Sequence, residues 1–296
     1  MTGISLYQCI PSYKPLPTVR LIKSLPETNC KILIDIEDSI QDVQNPELTP
    51  DLKAQARRDF AEIVRNLPDH KFSLRINSLR SKEFEQDKEL LHRFANNIES
   101  VFLPKVESSS ELIAFYNEFG DKHKLNLIIE TQRGIESIDE ILSSPFNAGI
   151  DFVFFGNYDF HLDSNIYPIT EQNTLNYWKI VAPIISKVEN RKLNFGNSPY
   201  ANIADIHCLD FSVMQLTKLC SQNFALMSLH KTQTIYFQKL IAEWRQNKMQ
   251  SKIINHNGFT SDVFINKKQK GRSFAWDGKR IITPQEYLLL FRKENG

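Results

Sequence analysis

Eight short apolar runs, rich in branched and aromatic residues, alternate with segments of helical spacing, and this alternation constrains the chain more than any other feature it carries. The strand-like runs fall at 5–10, 31–36, 72–76, 100–106, 125–129, 152–155, 192–195 and 224–229. Helical spacing fills 18–25, 50–66, 82–96, 109–119, 134–142, 170–188 and 201–220, and a further helical segment, 232–248, follows the last strand. Strands apolar on both faces, each feeding an amphipathic helix, belong in a parallel sheet covered by its own crossovers. Repeated this many times in one chain, the unit predicts an α/β fold, a (β/α)8 TIM barrel. We place the barrel at residues 1–249. Residues 250–296 change character and read as a C-terminal extension over the active site or an oligomer interface. That stretch holds a basic run at 267–272, a Phe-Ala-Trp-Asp-Gly turn at 274–278 and a helix at 284–293.

Composition excludes several classes. The 296 residues are 41% hydrophobic and 24% charged, ordinary for a packed globular chain. A formal net charge of +1 gives no field that would draw nucleic acid or an anionic membrane. No apolar stretch approaches the roughly 18 residues of a membrane span. The N-terminus lacks a basic region ahead of its apolar run, so it reads as a first strand and not as a signal peptide. Four cysteines without metal-site spacing read as reduced thiols of a cytoplasmic protein.

Barrels of this type place their chemistry at the C-terminal ends of the strands. Residues 125–129 exit through Glu130 and residues 152–155 lead to Asp159, side by side if the two runs flank one βαβ crossover. Two converging carboxylates suit a hard cation, Mg2+ before Mn2+, completed by water or substrate. Alternatively, Glu130 caps the next helix and Asp159 opens a turn. Asp35, Glu37 and Asp38 crowd the second exit, where ionised groups need a partner or a metal. Arg75, set among apolar residues, fits either a structural ion pair with Glu37 or Asp38 or a clamp on a substrate carboxylate. Lys105 fits a Schiff-base nucleophile or a carboxylate's partner, its direction left open by Pro104. The seventh exit carries Asn194, Asn197 and Ser198. His230, at the eighth, fits a base, a phosphate contact or a rim histidine.

The segments ILIDIEDSI, KAQAR at 53–57, LRIN, FLPKVE, IIETQRGI, FFGNYDF and LMSLHKTQ occur in this order over residues 31–233. Together they resemble the citrate lyase β-subunit-like branch of the HpcH/HpaI aldolase superfamily. The resemblance implies a Mg2+-dependent TIM-barrel enzyme that makes or breaks a carbon–carbon bond beside a carbonyl, often in an acyl-coenzyme A thioester, and that assembles as a homo-oligomer, a trimer or hexamer. By motif, Glu130 and Asp159 would hold the metal and Arg75 the substrate carboxylate. Asp35, Glu37 and Asp38 would support the metal waters and Arg75, with Lys105, Asn197 and His230 near the substrate. Three departures mark a divergent member. Ser5 stands where the pattern has an Arg that contacts substrate, Ile282 where it has a catalytic Asp, and the proline after the histidine of LMSLHKTQ is lost. Three activities remain compatible: a lyase for hydroxy-acyl compounds, a pyruvate-type aldolase with a sugar or semialdehyde acceptor, or a weakened barrel serving as a binding subunit.

Overall fold

The computed structural model describes residues 3–26, 30–42, 44–202 and 207–245, together with two short strands further on. Eight parallel strands close into a barrel in sequence order: β1 (Ile4–Pro11), β2 (Cys30–Asp35), β3 (Phe72–Arg75), β4 (Ile98–Leu103), β5 (Lys124–Ile129), β6 (Ile150–Phe155), β7 (Asn194–Gly196) and β8 (Phe224–Ser228). β8 pairs back onto β1 through Ile4↔Phe224 to Gln8↔Ser228. The (β/α)8 expectation therefore holds. All eight expected strands form, within a few residues of their expected ends. The fourth is the one clearly shortened: β4 stops at Leu103, because Pro104 has no N–H to continue a ladder.

Helices α1 (Pro15–Lys23), α2 (Thr49–Asn66), α3 (Phe84–Arg93), α4 (Ser109–Phe119), α5 (Gln132–Glu136), α6 (Ile138–Ile141), α7 (Asn157–Asp163), α8 (Leu175–Asn190), α9 (His207–Leu219) and α10 (Lys231–Arg245) follow the strands. The helix expected at 134–142 is two short ones, α5 and α6. The four-turn α8 begins at Leu175, with the Thr174 hydroxyl accepting from Tyr177 N as its N-cap. No helix among the described residues is long and apolar enough to cross a membrane.

Side-chain alternation explains both the core and the site. Tyr7 and Cys9, Leu33, Phe102, Ile128, Phe152 and Phe154, Ala225 and Met227 form one buried cluster drawn from six of the eight strands, with residues two apart where a strand supplies a pair. The intervening set, including Ile32, Ile34, Leu74, Val101, Leu127, Ile129 and Val153, is equally buried beneath the helices. Continuing the inner parity by two residues leads from Leu33 to Asp35, from Ile128 to Glu130 and from Phe154 to Gly156. The apolar interior thus ends in a polar mouth.

By contact density the chain separates into two units, Met1–Ile241 and Ala242–Gly296. In the second, β9 (Ala275–Trp276) pairs antiparallel with β10 (Ile281–Ile282). The expected basic run and terminal helix lie outside the described residues. Ile282, where the resemblance implies a catalytic Asp, pairs with Ala275.

Candidate active site

Register sets the first half of the site. Asp35 and Arg75 are neighbours across the β2–β3 ladder. The Asp35 carboxylate accepts from Arg75 Nε at 2.7 Å and from Nη2 at 2.5 Å, a bidentate pair. Burial works against the charge on Asp35, but the adjacent guanidinium prevails and holds its carboxyl below the usual range. Glu37 lies 3.5 Å and Asp38 3.8 Å from Arg75 Nη1, longer ion pairs on the other edge of the fork. The primary partner of Arg75 is therefore Asp35, not Glu37 or Asp38.

Glu130 follows the last residue of β5, and the helix cap beyond it is Thr131, whose hydroxyl accepts from Gly134 N at 3.0 Å. Glu130 is thereby released from a capping role. Its carboxylate accepts from Lys105 N at 3.0 Å. On the neighbouring strand, Gly156 is equivalent to Glu130 in register, since Ile129 pairs with Phe155. A Cβ at Gly156 would overlap Glu130 Oε2, so only glycine leaves room for this carboxylate. Gly156→Ala is expected to displace Glu130 and weaken divalent-metal affinity by about tenfold or more while the barrel stays folded, given how steeply ligation depends on ligand placement. Calorimetric titration of Mg2+ into the variant checks this.

Asp159 sits in the first turn of α7, a helix where the sequence alone suggests a turn. Asn157, Tyr158, Asp159, Phe160 and His161 are weak helix formers, so tertiary contacts set its conformation. His161 Nδ1 donates to Asn157 O at 2.8 Å, and Nε2 accepts from Thr170 N at 3.0 Å. Asn157 N in turn donates to Ser198 Oγ at 3.2 Å. His161 and Ser198 thus position α7.

Lys105 is brought into the centre. Its Nζ lies 2.7 Å from Glu37 Oε1, 2.9 Å from Asp38 Oδ1 and 3.5 Å from Asp159 Oδ1. Burial opposes its charge, but these carboxylates prevail and keep the ammonium well above the ordinary lysine range. Lys105 is thus the partner of several carboxylates, the second of its two sequence readings. Lys53, given no role from sequence, donates to the Glu37 carbonyl at 3.0 Å and to Asn77 Oδ1, fixing the β2 exit. Arg57 of the same KAQAR segment pairs with Asp87 at 2.7 Å, and Asp87 also accepts from Asn77 N at 2.8 Å.

Two expected substrate residues stand apart. Asn197 is buried with its amide fully engaged, Oδ1 accepting from Tyr177 Oη at 2.7 Å and Nδ2 donating to Gln172 Oε1 at 2.9 Å. His230 is exposed, accepts from Thr232 N at the start of α10 and does not line the cavity. Ser5 lies at the opposite end of β1 from Pro11 and pairs with Ala225, so no contact at the mouth is lost there. Cys9 is the β1 residue that reaches the cavity.

That cavity, of about 80 Å³, is lined by the polar residues Arg75, Glu130, Asn157, Tyr158, Asp159 and Ser198 and by apolar ones that include Cys9, Ile128, Phe154, Met227 and Leu229. Glu130 and Asp159 share it, and their convergence shows electrostatically. Burial, then the charges of Asp159 and Glu37, push the Glu130 carboxyl well above the usual range. Burial and the charge of Asp38 push Glu37 up to about 7.

Residues 20–178, more than half of the chain, match the HpcH/HpaI aldolase/citrate lyase family. The chain belongs to that family. As a member, it is a carbon–carbon lyase. Among solved structures, RipC from Yersinia pestis superposes with a TM-score of 0.60 at 19% identity, over 80% of this chain and 94% of that one. The citrate lyase β subunit from M. tuberculosis, complexed with oxaloacetate and magnesium, gives 0.60 at 16% identity over 80% and 96%. CitE from the same organism, with magnesium, acetoacetate and coenzyme A, gives 0.62 at 14% identity over 100% and 99%. At such identities these likenesses speak for the barrel fold alone. No curated protein sequence matches the chain.

The donor set fits a divalent cation. Asp35, Glu37, Asp38, Glu130 and Asp159 face three cations, Arg75, Lys105 and Lys53, within one connected network. Among the described residues, no three His, Cys, Asp or Glu side chains form a closed cage. Two carboxylates with most positions left to water or substrate suit Mg2+, which dehydrates reluctantly.

Proposed function

We propose that this protein is a Mg2+-dependent lyase that cleaves or forms the carbon–carbon bond beside the carbonyl of a 2-oxo acid unit. The observation that carries the reading is the convergence of Glu130, Asp159 and Arg75 on one cavity. Glu130 and Asp159 would hold the metal, which when bound supplies Lewis-acid polarisation of a substrate carbonyl. The rest of the work falls to the chain. Asp35 fixes the plane of Arg75, so the guanidinium would meet a substrate carboxylate with little rotational freedom. Glu37 and Asp38 hold Lys105 and keep the mouth acidic. The apolar lining residues, Ile128, Phe154 and Met227 among them, would limit water around the reacting carbon. Magnesium in the M. tuberculosis neighbours supports the metal assignment.

The cavity also favours one variant of this activity. Arg75 is the one cation among the described lining residues, and much of the remaining lining is apolar, so a small monocarboxylate such as pyruvate, with an aldehyde acceptor, fits better than a dicarboxylate. Turnover on a panel of hydroxy acids and their coenzyme A thioesters tests both levels. Metal-dependent release of a 2-oxo acid supports the activity, its need for coenzyme A decides the variant, and no cleavage of any member with Mg2+ present would remove the proposal.

Ionisation gives a separate check. The Glu37 carboxyl, at about 7, binds its proton more tightly in the folded protein than in the unfolded chain, and so does Glu130. Between about pH 4.5 and 7 the folded state therefore holds more protons, and stability falls as pH rises. In EDTA the melting temperature is expected to drop across that window, with Mg2+ restoring it more at pH 8 than at pH 5.5. A Mg2+ shift that is equal at both values would contradict this.

A further inference from the structure

Lys105 adopts a backbone conformation that its residue type disfavours. β4 stops at Leu103, Pro104 follows, and Lys105 then turns left-handed, with φ of 56°. Three hydrogen bonds hold it there. Lys105 N donates to Glu130 Oε1 at 3.0 Å, Arg80 Nη2 donates to the Lys105 carbonyl at 2.8 Å, and Val106 N donates to Ile128 O at 3.3 Å. The turn swings the side chain into the mouth of the barrel. Lys105 thereby touches both carboxylates of the proposed metal pair, Glu130 through its peptide N–H and Asp159 through its ammonium. Strain concentrated at such a point marks a functional constraint.

We propose that Lys105 is a tethered cation that competes with the divalent ion for Asp159 and so sets the metal affinity of the Glu130–Asp159 pair. The inference rests on the Mg2+ reading above. Its contact with Asp159, at 3.5 Å, is longer than those with Glu37 and Asp38, at 2.7 and 2.9 Å. With a metal held by Glu130 and Asp159, Lys105 would give up the weakest of its three contacts while Glu37 and Asp38 retained its ammonium nearby. The other cations of the network are differently engaged: Arg75 grips Asp35, and Lys53 holds the Glu37 carbonyl and Asn77. A fixed positive charge next to the ion weakens binding of metal alone. Bound 2-oxo acid, adding its own oxygens, offsets that repulsion. Lys105 thus couples metal retention to substrate, and the ammonium returns to Asp159 when product and metal depart.

The test is calorimetric titration of Mg2+ into the full-length protein and into Lys105→Met, Lys105→Gln and Lys105→Arg, with and without pyruvate. Without pyruvate, the Met and Gln variants are expected to bind Mg2+ about tenfold or more tightly than wild type, as removal of an adjacent like charge at intermediate dielectric requires. Lys105→Arg should stay close to wild type, and the enhancement by pyruvate should shrink in the neutral variants. Where a neutral variant folds too weakly for calorimetry, its melting temperature is expected to rise more with Mg2+ than that of wild type, and an equal or smaller rise counts against the competition. Equal or weaker Mg2+ binding in the neutral variants, with wild type binding normally, overturns the competition alone. Absence of Mg2+ binding in every protein overturns the metal reading and this inference together.

Discussion

Glu130→Ala is expected to abolish Mg2+ binding and to lower turnover on the order of a thousandfold or more, the scale of losing a metal that stabilises transition-state charge. The fold should survive. Glu130 is nearly fully buried, at 2% exposure, and its ionised form is disfavoured by burial and by Asp159 and Glu37, so removing it relieves an unfavourable charge in metal-free protein. Glu130→Gln, an uncharged mimic, should melt above wild type in EDTA at pH 8 and lose that advantage once Mg2+ is supplied. Thermal denaturation with and without Mg2+ separates these outcomes. Destabilisation of both variants in EDTA would mean that the carboxylate serves the fold and not a metal.

Arg75→Ala is expected to have the opposite character, damaging fold and function together. Its partner Asp35 is fully buried. Removing one member of a buried pair leaves an uncompensated charge at a cost of about 3–5 kcal/mol. Ile36 N also donates to Arg75 O, and Glu37 N and Ser39 N to the Asp35 carboxylate, so the β2 exit should loosen as Asp35 protonates. Arg75→Lys restores the charge without the planar fork. It should recover most of the stability, seen in urea denaturation, while KM for the oxo acid stays raised. Recovery of both by lysine would show that charge alone matters there.

The barrel was legible because its determinants are local. Apolar runs such as Ile32–Ile34 and Leu125–Ile129 read as strands wherever they occur, and their repetition leaves few other folds. Of the site, Asp35, Arg75, Glu130 and Asp159 could be named because charged residues at the ends of apolar strands are conspicuous. Their neighbours could not. The direction of Lys105 depends on a left-handed turn after Pro104 that side-chain type disfavours. The need for glycine at 156 depends on the carboxylate of Glu130 across the ladder. Helix α7 forms against the propensity of its residues, held by the contacts of His161 with Thr170 and of Asn157 with Ser198. Asn197 looks like a binding residue until Gln172 and Tyr177, distant in sequence, close around its amide. In each case the deciding partner lies on another element, where periodicity carries no information.

The claim that Glu130 and Asp159 form a metal site completed by substrate is tested most directly by titrating Mg2+ into metal-free protein with and without a 2-oxo acid, pyruvate or oxaloacetate. The account predicts Mg2+ binding that tightens when the oxo acid is present and disappears in Glu130→Ala and Asp159→Ala. Binding that is absent under both conditions, or that persists unchanged in both variants, would contradict it.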